Sequence, residues 1–127
     1  MEKTVVRTEA APAPFQGAPY NQAIVVGDLV FVAGQLGLRP GESSIEGDIT
    51  AQTEQALRNL AAILEETGSS LANLVKTSVF LQDLGDFAAM NEVYARHVGD
   101  RPPARSTFEV ARLPSGALVE IEAVAHL

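Results

Sequence analysis

With 127 residues, 46% apolar and 20% charged, the chain has the make-up of a soluble globular protein that buries roughly two-thirds of its unfolded surface. Its formal charge of −7, with nine scattered Lys and Arg residues, counts against a nucleic-acid surface, which needs clustered cations. The absence of cysteine excludes a disulfide framework, a thiolate nucleophile and a Cys-based metal site, and no apolar run reaches the length of a membrane span or of a signal-peptide core. The expectation is one domain over residues 1–127, cytoplasmic, with no membrane partner. Residues 10–19 hold three of the seven prolines and read as an extended segment leading into the first strand. Asn21 to Val26 and Leu29 to Gly34 are apolar runs joined by Gly27-Asp28, and Gly at the first central position suits a type II′ hairpin turn.

After a loop at Arg39–Ser44, a helix is expected from Asp48 or Thr50 to a stop at Gly68. Leu57, Leu60, Ala61 and Leu64 form its apolar stripe, opposite Gln55, Arg58, Asn59 and Glu66. Leu74 to Leu81 reads as a strand. A second helix, capped by Asp86 and ended by Gly99, buries Phe87, Met90 and Val93, with Tyr94 a further candidate. Ser106 to Ala111 and Leu118 to Leu127 alternate as strands do, and the turn Leu113-Pro114-Ser115-Gly116-Ala117 separates them. The resulting order is β-β-α-β-α-β-β. Two helices cannot cover both faces of five or six strands, so an α+β layer is expected: a mixed single-layer sheet with both helices on one face. Apolar candidates for the other face, Val30 and Val32 or their alternates Phe31 and Leu29, with Val79 or Phe80, point to subunit association.

Arg105 follows Pro102-Pro103-Ala104, where the chain is held extended, and its planar fork suits a carboxylate. A strand-end ion pair is the alternative. If the last two strands formed a simple hairpin, Arg105 would lie near Ala125 and Glu120 near Val110, about 15–17 Å apart at ~3.3 Å per residue. One small ligand cannot span that distance. Either the strands are not direct partners or the two residues meet across a subunit boundary, and the second reading is favoured.

The run Pro103-Ala104-Arg105-Ser106-Thr107-Phe108-Glu109-Val110-Ala111-Arg112-Leu113-Pro114, followed by Val119-Glu120-Ile121-Glu122-Ala123, closely resembles the signature of the Rid (RidA, YjgF) family of reactive intermediate deaminases. So do Ala18-Pro19-Tyr20-Asn21-Gln22-Ala23, Val30–Gln35, Val75–Leu81 and Phe87–Tyr94, in family order. The resemblance spans about Ala18 to Ala125. It implies a chorismate-mutase-like fold and a homotrimer with a central sheet barrel and ligand clefts between subunits.

The activity it implies is hydrolysis of 2-imino acids and their enamines, such as 2-iminopropanoate and 2-iminobutanoate, to 2-keto acids and ammonia. Arg105 would anchor the substrate carboxylate and Glu120 would act as base for the attacking water. The uncatalysed reaction already proceeds, so no cofactor or metal is expected. By motif, Tyr20, the backbone of Ala33 and Gly34, Asn91 and Thr107 would bind substrate. Thr107 stands where the family often has cysteine, which leaves imine hydrolysis untouched, and Asn21 stands where Ser or Ala is more usual. Read from chemistry alone, Tyr20 is equally a packed aromatic and Asn91 a helix-surface amide. Glu122, His97 and His126 read as structural or surface groups. The competing functions are a small-carboxylate-binding or chaperone-like trimer without turnover, an endoribonuclease or translation inhibitor, which the acidic charge disfavours, and a relative acting on another enamine such as aminoacrylate.

Overall fold

The computed structural model describes residues 1–127. Six strands and two α-helices follow one another as β1 (Lys3–Val6), β2 (Ala23–Val26), β3 (Leu29–Leu36), α1 (Ile49–Thr67), β4 (Leu74–Leu81), α2 (Phe87–Val98), β5 (Ala104–Glu109) and β6 (Val119–His126). They form one mixed sheet in the order β1-β2-β3-β6-β4-β5, with β4 and β5 parallel and every other pair antiparallel. This is the expected α+β layer with one strand more. Lys3–Val6 pairs with β2 although it is exposed along most of its length, so it carries little of the buried alternation by which a strand is read from sequence.

The β2–β3 hairpin turns on Gly27 and Asp28, and Gly27 has a φ of 58°. Asp48 caps α1 by accepting a hydrogen bond from the Ala51 N–H at 2.9 Å, and Gly68 ends it in the left-handed conformation. Leu57, Leu60, Ile63 and Leu64 are fully buried against the sheet, a burial worth ~1.5–3 kcal/mol for each large side chain. Asn59, expected on the polar side, is also fully buried. Its amide donates to the Leu36 and Leu38 carbonyls, satisfying backbone just beyond the end of β3. The Asp86 side chain makes no capping bond, and Asp83 accepts from the Gly85 N–H instead. Phe87 is 40% exposed rather than in the core, whereas Met90, Val93, Tyr94 and Val98 are buried. His97, partly exposed near the end of α2, meets Glu54 of α1 at 3.0 Å and ties the helices together.

Alternation divides the sheet cleanly. Val30, Val32, Val79, Ile121, Ala123 and Ala125 face the helices and are buried. Leu29, Phe31, Phe80 and Phe108 lie on the opposite face with Glu120 and Glu122, and the Phe80 and Phe108 rings stack at 6.5 Å. Phe31 and Phe108 are 45% and 53% exposed in the isolated chain.

The C-terminal hairpin does not form. β6 inserts between β3 and β4, while β5 adds to the far side of β4 as an edge strand. The residues after Glu109 therefore cross over β4 rather than turn back beside β5. Arg105 aligns with Thr77, and Thr77 with Ala123, so its register partner across β4 is Ala123 rather than Ala125.

Candidate active site

The residues singled out from sequence gather in two places. The first is on the open face, where the register of β3 against β6 slips between Val32 and Gln35. This irregularity carries Ala33 and Gly34 past Glu120 at close range. A Cβ at Gly34 would lie 2.8 Å from Glu120 Cδ and 2.9 Å from its Oε2, so only glycine lets the backbone approach the carboxylate. Tyr20, Ala33, Gly34 and Glu120 line one cavity of about 440 Å³, bounded also by Phe15 and Pro114. The Tyr20 hydroxyl accepts from the Phe15 N–H at 2.7 Å, which leaves its own proton available to a ligand. Burial, then the charge of Glu122, raises the Glu120 carboxyl above its ordinary value of 4.5. Glu122 itself faces a neighbouring hollow with Asn21, whose side-chain oxygen accepts from Arg7.

Gly34→Ala is expected to fold, since the added methyl meets only the movable end of Glu120. It should cut turnover by displacing that carboxylate, with little change in melting temperature. Turnover equal to the parent's would show that the close approach is incidental.

The second place is the opposite face at the β5 edge. Arg105 and Thr107 point to the helix side, and on α2 Phe87, Asn91 and Tyr94 form one stripe at i, i+4 and i+7. The Arg105 guanidinium carbon lies 4.8 Å from the Tyr94 ring centroid and 5.5 Å from that of Phe87. Neither the Glu54–Arg58 ion pair nor the Glu54–His97 contact involves Arg105, so the strand-end ion pair finds no partner within the chain. The side-chain oxygens of Asn91 and Thr107 are buried without a hydrogen-bond partner. Leaving such a group unmet costs ~1–3 kcal/mol, and both lie on the Arg105 side of the molecule.

One chain does not bring the two groups together. From Arg105 to Glu120 the path crosses two strand spacings, about 10 Å, and three residues along β6, about 10 Å more, for a diagonal of about 14 Å. The side chains also leave opposite faces of the sheet. Sequence reasoning missed Phe87 and Tyr94 as neighbours of Arg105; the one available signal was their spacing with Asn91 along one helix stripe, which does not by itself name the strand that faces it.

A mixed sheet with two helices on one face defines an α+β protein, with a carboxylate beside a glycine bulge on the open face and a guanidinium at the β5 edge on the helix side. A family described as Endoribonuclease L-PSP matches residues 8–127. A RutC family protein of Pyrococcus abyssi is 50% identical over 127 residues, covering 99% of this chain and 98% of that protein. The chloroplastic Reactive Intermediate Deaminase A of Arabidopsis thaliana is 44% identical, with all of this chain matching 67% of the relative. The crystal structure of RidA from an Antarctic Psychrobacter superposes with a TM-score of 0.93 at 40% identity, over 98% of this chain and 99% of that one. The chain belongs to the endoribonuclease L-PSP family, which includes the Rid/YjgF proteins. No helix is long and apolar enough to cross a membrane.

Proposed function

We propose that the protein is a hydrolytic deaminase of 2-imino acids and their enamine tautomers, with 2-iminopropanoate and 2-iminobutanoate as substrates. Its clefts would form where the Arg105 side of one copy meets the Glu120 side of the next, in a homotrimer whose barrel interior covers the open sheet face. The observation that carries this reading is the separation of complementary groups. A guanidinium with no acidic partner in the chain and a half-buried carboxylate that lines a cavity lie too far apart in one chain to share a small ligand. The stacked Phe80 and Phe108 and the exposed Phe31 supply apolar surface for such an assembly. The relative named as a reactive intermediate deaminase supports the same chemistry.

In this mechanism Arg105 grips the substrate carboxylate through two parallel hydrogen bonds and fixes the adjacent C=N carbon. Asn91 and Thr107 border that anchor with their unpartnered oxygens. Glu120 of the facing copy accepts a proton from water as the water oxygen attacks the carbon, and passes that proton to the imine nitrogen to give a neutral carbinolamine. In the collapse Glu120 accepts the carbinolamine hydroxyl proton and delivers it to the departing nitrogen, so that the C–N bond breaks as C=O forms, ammonia leaves and the keto acid remains. Tyr20 offers its hydroxyl proton to the developing oxygen or to the carboxylate.

The test is ammonia and keto-acid release from imines generated in situ by an amino-acid oxidase, with and without the protein, alongside light scattering. Accelerated release and a mass near three times 13.4 kDa are expected. Keto-acid binding without acceleration would select the non-catalytic carboxylate binder, and a monomer at micromolar concentration would remove the inter-subunit cleft. RNA cleavage is disfavoured by the net charge of −7.

The pH profile follows from Glu120. Only its ionised form can take the proton, so kcat/KM should fall as pH drops through the Glu120 pKa. That acid limb should lie above an ordinary carboxylate's, because burial and then Glu122 raise it. Glu122→Gln removes the second cause and should move the limb to lower pH. A limb that stays in place would show that another group titrates.

A further inference from the structure

Arg105 is held by aromatic faces, not by an acid. Phe87 and Tyr94 stand seven residues apart on α2, and the guanidinium carbon lies 5.5 Å and 4.8 Å from their ring centroids. A cation over an aromatic face within about 6 Å is attracted by the ring quadrupole. This attraction has a consequence that an ion pair would not. A carboxylate would occupy the guanidinium's N–H donors and cancel its charge, whereas a ring face restrains the group and leaves its donor edges open.

The stronger of the two contacts is itself fixed. The Tyr94 and Thr77 hydroxyls share a buried hydrogen bond of 2.6 Å, and Thr77 is the register partner of Arg105 on β4. Arg105 and the residue that locks Tyr94 are thus neighbours on adjacent strands. Tyr94 is buried and Phe87 is 40% exposed, so one ring forms the floor and the other a solvent-facing wall. Burial raises the Tyr94 phenol above its usual value, against the lowering effects of Thr77 and Arg105.

We propose that Tyr94 and Phe87 are positioning residues that orient the Arg105 guanidinium with its N–H donors free for an incoming carboxylate, and that Thr77 sets this arrangement through the Tyr94 hydroxyl. The proposal rests on the reading of Arg105 as the substrate anchor. It extends that reading by naming what holds the anchor in place before substrate arrives.

The test combines steady-state kinetics with nitrogen-15 NMR of the Arg105 side chain in Phe87→Leu, Tyr94→Leu and Tyr94→Phe proteins. Phe87→Leu removes a half-exposed ring and should leave melting temperature close to the parent's while raising KM about 3- to 10-fold, with a smaller change in kcat. Tyr94→Leu should raise KM more, about 10- to 30-fold, as expected for loss of the closer, more buried ring. Tyr94→Phe keeps the ring but loses the Thr77 bond that sets it, so it should melt lower and raise KM above the parent's, though well below that of Tyr94→Leu. A purely structural role for the rings predicts the reverse, with KM following melting temperature across the three variants.

The NMR arm reads the same arrangement without turnover. In the parent, the Arg105 Nε–H resonance should be shifted upfield by the ring currents and be rigid on the nanosecond scale, and Phe87→Leu should move it towards the value of a free arginine. If the parent binds no keto acid and turns over no imine, the anchor reading fails, while this shift still decides whether the rings hold the side chain. A parent resonance at the free-arginine value, or a KM in Phe87→Leu equal to the parent's in an active enzyme, overturns the proposal.

Discussion

Glu120→Gln is expected to lower imine turnover by roughly 10²-fold or more, the usual scale for loss of a general base, while keto-acid binding persists. Glutamine keeps the shape of the side chain and its contact with the Gly34 backbone but cannot take a proton from water. The sign of the stability change is opposite. Because burial and Glu122 raise the Glu120 pKa, the ionised form is less favourable in the folded protein than in the unfolded chain. The native state therefore loses stability as pH rises from the unfolded value through the raised folded one. Removing the charge should leave the melting temperature at pH 7 equal to or above the parent's. A variant that is both inactive and less stable would point to a structural role for Glu120, and one with parental turnover would remove it from the chemistry.

Arg105→Lys carries the second large effect. Lysine keeps the charge and can still lie against the Tyr94 ring, but it lacks the planar fork that grips a carboxylate at two points. Losing a charge-assisted contact of this kind costs about 1.5–3 kcal/mol, or roughly 10- to 100-fold in kcat/KM. Misplacement of the imine carbon relative to the water adds to that loss. Stability should change little, since Arg105 has no acidic partner in the chain to lose. Measuring melting temperature and imine hydrolysis on one sample separates the outcomes. Near-parental activity with a lower melting temperature would show that Arg105 serves the fold and not the substrate.

Much of the architecture was legible because local chemistry and tertiary structure agree. Asp48 and Gly68 bound α1 as expected, since a cap and a left-handed stop act within a few residues of chain. β4 runs from Leu74 to Leu81 as expected, and the Gly27-Asp28 hairpin forms with its glycine at positive φ. The readings that failed depend on distant partners. Asn59 looks like a surface amide until the Leu36 and Leu38 carbonyls are placed beside it. Phe87 looks like a core residue until Arg105 is found against its ring. Lys3–Val6 becomes a strand only because β2 offers an unpaired edge.

The amino-acid sequence by itself determined the helix limits, the period-2 alternation of β6 and the extended setting that suits the Arg105 fork to a carboxylate. These are properties of single residues and of nearest neighbours along the chain, whereas the expectation for Glu120 came with the family resemblance. Only the tertiary structure decided that β6 enters between β3 and β4, and that β5 lies parallel to β4 at the edge. Strand order is set by long-range burial, which no short window of sequence contains. The same long-range pairing puts Arg105 and Glu120 on opposite faces about 14 Å apart, and brings Phe87 and Tyr94 of α2 to the guanidinium.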